Sequence, residues 1–253
     1  MIAFPIANPE GLVPVRVEDH ALKRAPTWNL DTLHTGPARS SPAYESLLDE
    51  TVGSSYDWGD ELRFDKRSGL LRSFILKTPE AGGVEHSIVK SWLALPRQVG
   101  LPAISDDRGF NLDPLDVRSL SDDGRHLLAL HATATAPDRD ALRLAVHPDC
   151  DLLFAHGRYC GWVLGRPIAH LTQDRDGDAA AGSPDDSQEL IDLLRDYLAL
   201  VVQPNIDRMD DRDPALGAAL EALIARARAC RVPGPAATTL VWRATDVLEN
   251  FYG

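Results

Sequence analysis

Four residues able to bind a transition metal lie between positions 147 and 160: His147, Cys150, His156 and Cys160, in the pattern H-x2-C-x5-H-x3-C. Imidazole nitrogen and thiolate sulfur are zinc's preferred ligands, and a structural zinc needs four of them converging at about 2.0–2.3 Å. The intervening residues argue against convergence. Cys150–His156 and Tyr159–Gly165 read as the arms of a hairpin turning at Gly157-Arg158. That register puts Cys150, Leu152, Phe154, His156, Tyr159 and Val163 on one face, and Leu153, Ala155, Cys160, Trp162 and Leu164 on the other. Cys160 then points away from Cys150, so neither a metal nor another cofactor is expected.

The remaining chemistry is acid–base. A histidine and a carboxylate sharing a pocket can exchange a proton with a substrate, and the candidates are His86, His126 and His156 with Asp151. His126 and His131 are five apart on one expected strand, on opposite faces, and cannot work as a pair. No Gly-x-Ser-x-Gly elbow, phosphate-binding Walker loop, dinucleotide glycine fingerprint or His-Glu-x-x-His is present. Asp174, Asp176 and Asp178 alternate like the start of a calcium loop, but Ala179 and Asp185 occupy the positions where glycine and glutamate are required. Trp58, Trp92, Arg63 and Arg72, with Tyr56, form a candidate binding group that could line a cleft or form an outer core layer.

Charge and composition narrow the partners. The 253 residues carry a net charge of -12, with 38 acids against 26 lysines and arginines. Nucleic-acid binding by phosphate neutralisation needs a basic stripe, so it is not expected. Three cysteines do not make a disulfide framework, which suits a reducing compartment. The N-terminus lacks a basic region and is broken by Pro5, Pro9 and Pro14, unlike a signal peptide. The longest uncharged apolar run, Tyr197–Val202, falls far short of a membrane span. A cytoplasmic protein without a membrane segment is the expectation.

Positioning these residues falls to an α+β fold. Residues 1–57 are punctuated by six prolines and read as an arm packed on a sheet. From 58 to 171 the pattern is β: Glu61–Asp65 and Leu70–Lys77 around a Lys66–Gly69 turn, His86–Leu95, then Leu115–Leu120 and His126–Ala132 around an Asp-Gly turn, and finally the stretch from Leu142. About eight strands in one mainly antiparallel sheet are expected. Residues 172–187 are polar and simple and read as a linker or mobile loop. Beyond them the period becomes helical. Leu190, Leu193, Leu194, Tyr197, Leu198 and Val201 form one stripe, with Asp186 as cap. A second helix starts at Asp213-Pro214 and a third runs from about Thr238 to Phe251. These three helices are expected on one face of the sheet.

Two functions follow. The first is an acidic, inhibitor- or immunity-like interaction module for a basic protein partner, motivated by the net charge and the missing catalytic signatures. The second is an enzyme for a small-molecule ligand, using a histidine and a carboxylate in a pocket on the sheet.

Overall fold

The computed structural model describes residues 2–5, 12–57, 59–105, 109–132, 136–173, 187–232 and 234–253. Among these, fifteen strands form two mostly antiparallel sheets, and six α-helices complete a mixed α+β fold. The larger sheet contains β1 (Ile2–Pro5), β2 (Leu12–Glu18), β8 (Ala81–Gly82), β9 (Arg97–Val99), β10 (Leu101–Ile104), β11 (Val117–Leu120), β12 (His126–Leu130), β13 (Leu142–His147), β14 (Cys150–Ala155) and β15 (Arg158–Gly165). The smaller contains β3 (Thr27–Trp28), β4 (Thr32–His34), β5 (Thr51–Gly53), β6 (Glu61–Asp65) and β7 (Leu71–Lys77). The helices are α1 (Pro42–Glu50), α2 (His86–Ala94), α3 (Gln188–Leu200), α4 (Gln203–Asp210), α5 (Pro214–Arg228) and α6 (Pro235–Tyr252).

The expected single sheet of eight strands is therefore corrected to two sheets, and the proline-rich arm supplies strands to both. Pro14 sits inside β2 opposite Ala3. The stretch 86–95 is a helix, not a strand. Its β-branched Ile88 and Val89 suggest a strand, but Val89 and Trp92, three apart, form one buried face. Four helices, not three, follow residue 187. Pro204 follows the end of α3 and sits in the opening turn of α4, where a missing N–H costs nothing. Asp213 caps α5 by accepting from Ala215 N at 2.9 Å. The proposed cap Asp186 and the aspartates at 174, 176 and 178 lie outside the described residues.

The turns at Gly69 and Gly124 form as their sequences imply, with φ of 72° and 70°. The β14–β15 hairpin differs. Ala155 pairs with Arg158, so the two-residue turn is His156-Gly157, one position earlier than expected, with both residues at positive φ. Leu153 then faces Gly161 while Phe154 faces Tyr159, leaving Cys160 as the extra residue of a bulge. The bulge sends Trp162 and Leu164 to the Cys150 face and Val163 to the Cys160 face, the reverse of the simple alternation.

One large core joins the layers. Trp28, Phe64 and Phe74 of the small sheet meet Leu152, Phe154 and Trp162 of the large one, and Leu194 and Leu240 of the helices. The opposite face of the large sheet is covered by α2, whose Val89 and Trp92 pack on Leu128, Leu153, Cys160 and Val163. Segment 97–104 pairs with β13 through its first half and with β2 through its second, so the large sheet curls back on itself.

Two polar anchors tie these layers. Arg118 of β11 is buried and donates to the carbonyls of Pro79 (2.8 Å), Leu198 (3.2 Å) and Val201. It thereby satisfies the carbonyl end of α3, where the helix dipole is negative. Asp60, fully buried, accepts from Lys77 N at 2.7 Å and from the Tyr159 hydroxyl at 2.6 Å, linking the two sheets. Burial, opposed by those two hydrogen bonds and the charge of Lys77, pushes its carboxyl up to about 7.

Candidate functional site

The α2-covered face of the large sheet ends in a pocket of about 290 Å³, lined by Arg97, Arg125, His126, Arg143, Asp149, Asp151 and Arg166, with Pro148 and Gly165 beside them. Strand alternation places these residues. His126 precedes Leu128 by two on β12, Asp151 precedes Leu153 by two on β14, and Arg143 is the register partner of Leu153. All three share the face whose apolar part lies under α2. Where that helix ends, the face turns polar.

Asp151 is the hub. It is 2% exposed and accepts from Arg143 Nε at 2.6 Å and from Arg97 Nη2 and Nε at 2.6 and 3.0 Å. Arg97 and Arg143 are direct register partners in parallel strands, so one carboxylate can hold both guanidiniums. Arg143 also donates to the Leu93 carbonyl in the last turn of α2 at 2.7 Å. Arg97 reaches the carbonyls of His147 and Pro148.

Asp149, in the β13–β14 turn, does the same for Arg166, accepting from its Nε and Nη2 at 3.1 and 2.5 Å. His170 Nε2 lies 3.3 Å from Asp149 Oδ2, at ion-pair distance but outside hydrogen-bond geometry, while its Nδ1 is 2.8 Å from the Pro26 carbonyl. Burial would raise the Asp149 carboxyl, but His170 and Arg166 outweigh it and hold it well below the usual carboxylate range. Arg166 has left-handed backbone (φ 49°), unusual for a residue with a Cβ, and its N–H donates to the Arg125 carbonyl at 2.7 Å.

His126 is half-buried in this setting. Desolvation lowers its pKa from 6.5, helped by the charges of Arg143 and Arg97 and opposed by Asp123 and Asp151. The imidazole is therefore mainly neutral at pH 7 and can accept a proton. His147, beside the pocket, is lowered in the same way, by desolvation first and then by the charges of His170, Arg166 and Arg97.

Of the acid–base candidates, the fold brings His126 and Asp151 together. His86 lies at the start of α2 with Nε2 2.9 Å from Asp122, and His156 is an exposed turn residue with Nδ1 2.6 Å from Asp138. The aromatic group is not a single cleft. Trp92 is buried between α2, to which it belongs, and the large sheet, whereas Tyr56 packs with Tyr44, Leu47 and Ile75. Arg63 bridges to Thr51 and Ser54, and Arg72 pairs with Glu50 at 2.5 Å. Trp58 lies outside the described residues. Cys150 and Cys160 fall in different core clusters, and among the described residues no three His, Cys, Asp or Glu side chains are grouped so as to hold a metal. Burial pushes the Cys160 thiol up to about 12 and Cys150 well above its ordinary value, so both are unreactive thiols at neutral pH.

Sequence reasoning missed Arg97, Arg125, Arg143, Arg166 and Asp149. One signal was present: Arg143 and Asp151 each interrupt an otherwise apolar strand, and charges in such places are paired when buried.

The molecule is thus an α+β protein with two sheets and an arginine-lined pocket at the end of its sheet-covering helix. No family model matches the chain, and no curated protein is similar to it. Among the described residues, no helix is long and apolar enough to cross a membrane.

Proposed function

We propose that the protein is an enzyme acting on a small anionic molecule in the arginine-lined pocket, with His126 as the group that takes up a proton. The observation that carries this reading is the convergence of a half-buried imidazole with two guanidiniums held by one carboxylate, the four groups coming from four separate strands. The guanidiniums would bind and orient the anion, and Asp151 acts through them as a positioning residue. His126, unprotonated near neutrality, would serve as general base.

Binding to a basic protein partner keeps the net charge as its support, but that charge is spread along the chain and is not concentrated in one segment. The helical region 187–253 has ten acids against seven arginines, and residues 174–186 alone contribute five acids against one arginine.

The test is incubation with a mixture of small phosphorylated and carboxylated metabolites, followed by mass spectrometry. Depletion of at least one compound by the wild type, abolished in His126→Asn, is expected. Equal depletion by both proteins, or none by either, overturns the reading.

A further inference from the structure

The chemistry of the lining narrows what the pocket holds. The guanidiniums of Arg97, Arg125, Arg143 and Arg166 line the pocket together with the carboxylates of Asp149 and Asp151, on a chain whose net charge is -12. The general field of the protein repels anions, so the attraction has to come from these neighbouring guanidiniums. Asp123, which acts on His126 from the β11–β12 turn, is engaged by the Ser121 hydroxyl at 2.6 Å and the Arg125 N–H at 3.0 Å.

The guanidiniums are also held in advance. Asp151 uses Nε and Nη2 of Arg97 and Nε of Arg143, and Leu93 takes Arg143 Nη1. Arg97 Nη1 and Arg143 Nη2 have no protein hydrogen-bond partner among the described residues. Side by side on paired strands, they offer four N–H donors to a bound anion. A phosphoryl group supplies three terminal oxygens and close to two negative charges at pH 7. Fixed guanidinium forks suit that geometry and lose little freedom on binding.

We propose that this pocket takes a dianionic phosphoryl group, either free phosphate or the phosphate end of a small monoester; this rests on the reading of the pocket as the ligand site. His126, beside the bound group, accepts a hydrogen bond from a singly protonated phosphate or from a hydroxyl of the ester's organic part.

Calorimetry on the full chain tests this with inorganic phosphate, glycerol 3-phosphate and succinate. Three variants accompany the wild type. Arg97→Lys keeps the charge beside Asp151 but removes the fork, Arg125→Gln removes an exposed lining charge, and Arg226→Gln on α5 breaks a surface pair with Asp196 of α3, neither of which lines the pocket. Phosphate binding at one site is expected, weakened about tenfold or more, roughly 1.4 kcal/mol, by either lining variant and unchanged by Arg226→Gln. Tighter binding of glycerol 3-phosphate than of phosphate assigns the site to a monoester, and equal binding to free phosphate. Binding of succinate but not phosphate, with the same variant sensitivity, overturns the phosphoryl inference and leaves the ligand site standing. Equal weakening in Arg226→Gln shows diffuse charge attraction and overturns the inference. Binding of none of the three anions overturns the inference and removes the support for an anionic substrate.

Discussion

Asp151→Ala is expected to destabilise the protein by about 3–5 kcal/mol, the range found when one member of a buried ion pair is removed. Arg143 is the main cause. Its side chain is 7% exposed, and alanine would leave its guanidinium with the Leu93 carbonyl but no counter-charge. Arg97, at 40% exposed, can turn to water and contributes less. Denaturant unfolding measures the difference directly, and a loss under about 1 kcal/mol would show that Asp151 does not hold the cluster. The double variant Arg143→Met/Asp151→Leu should recover much of the loss, because replacing both members with apolar side chains removes the uncompensated charge. It should not recover phosphate binding. Stability and ligand recognition would then be separated at one pair of residues.

Asp60→Asn should alter how stability depends on pH. The folded carboxyl titrates near 7 against an ordinary value of 3.8. Between those values the native state keeps a proton that the unfolded chain has released. Asp60 therefore contributes fully to stability below about pH 4, and that contribution is lost as pH rises through 7. The span corresponds to about 4 kcal/mol as an upper bound, since each pH unit is worth about 1.4 kcal/mol. Asparagine mimics the protonated acid: its oxygen can accept from Lys77 N, and its amide can donate to the Tyr159 hydroxyl, which rotates to suit. The variant should be more stable than wild type at pH 8 by a few kcal/mol, with the difference shrinking toward zero as the pH falls to about 4. A variant less stable than wild type at both pH values would mean that the ionised carboxylate is the form the fold prefers.

Local features of the fold were legible where a residue type forces a backbone conformation or a face. Gly69 and Gly124 mark tight turns because only glycine takes positive φ without cost, and both turns join the expected strands. The stripe of Leu190, Leu193, Leu194, Tyr197 and Leu198 is buried along α3 as its spacing implies. What depends on distant pairing was not legible. The parallel contacts of β9 with β13 and β1 with β15 have no local signature. The bulge at Cys160 inverts the faces of Trp162 and Val163, and nothing in the alternation announces an extra residue. The α2 segment misled because its β-branched pair favours a strand locally, whereas burial of Trp92 against the sheet decides for a helix. His126 and Asp151 could be named because histidine and a strand aspartate stand out. Their arginine partners could not, since Arg97, Arg143 and Arg166 meet only once strands far apart in sequence are paired.

The central claim is that His126 sits neutral in a preformed, arginine-lined pocket that takes a phosphoryl group. The most direct measurement is the titration of the His126 imidazole by NMR, with and without inorganic phosphate. In the free protein its midpoint should lie below the ordinary 6.5, because burial and the guanidiniums of Arg143 and Arg97 disfavour the imidazolium. Added phosphate should raise that midpoint by placing negative charge beside the ring. A midpoint at or above the ordinary value that phosphate does not move would contradict the account.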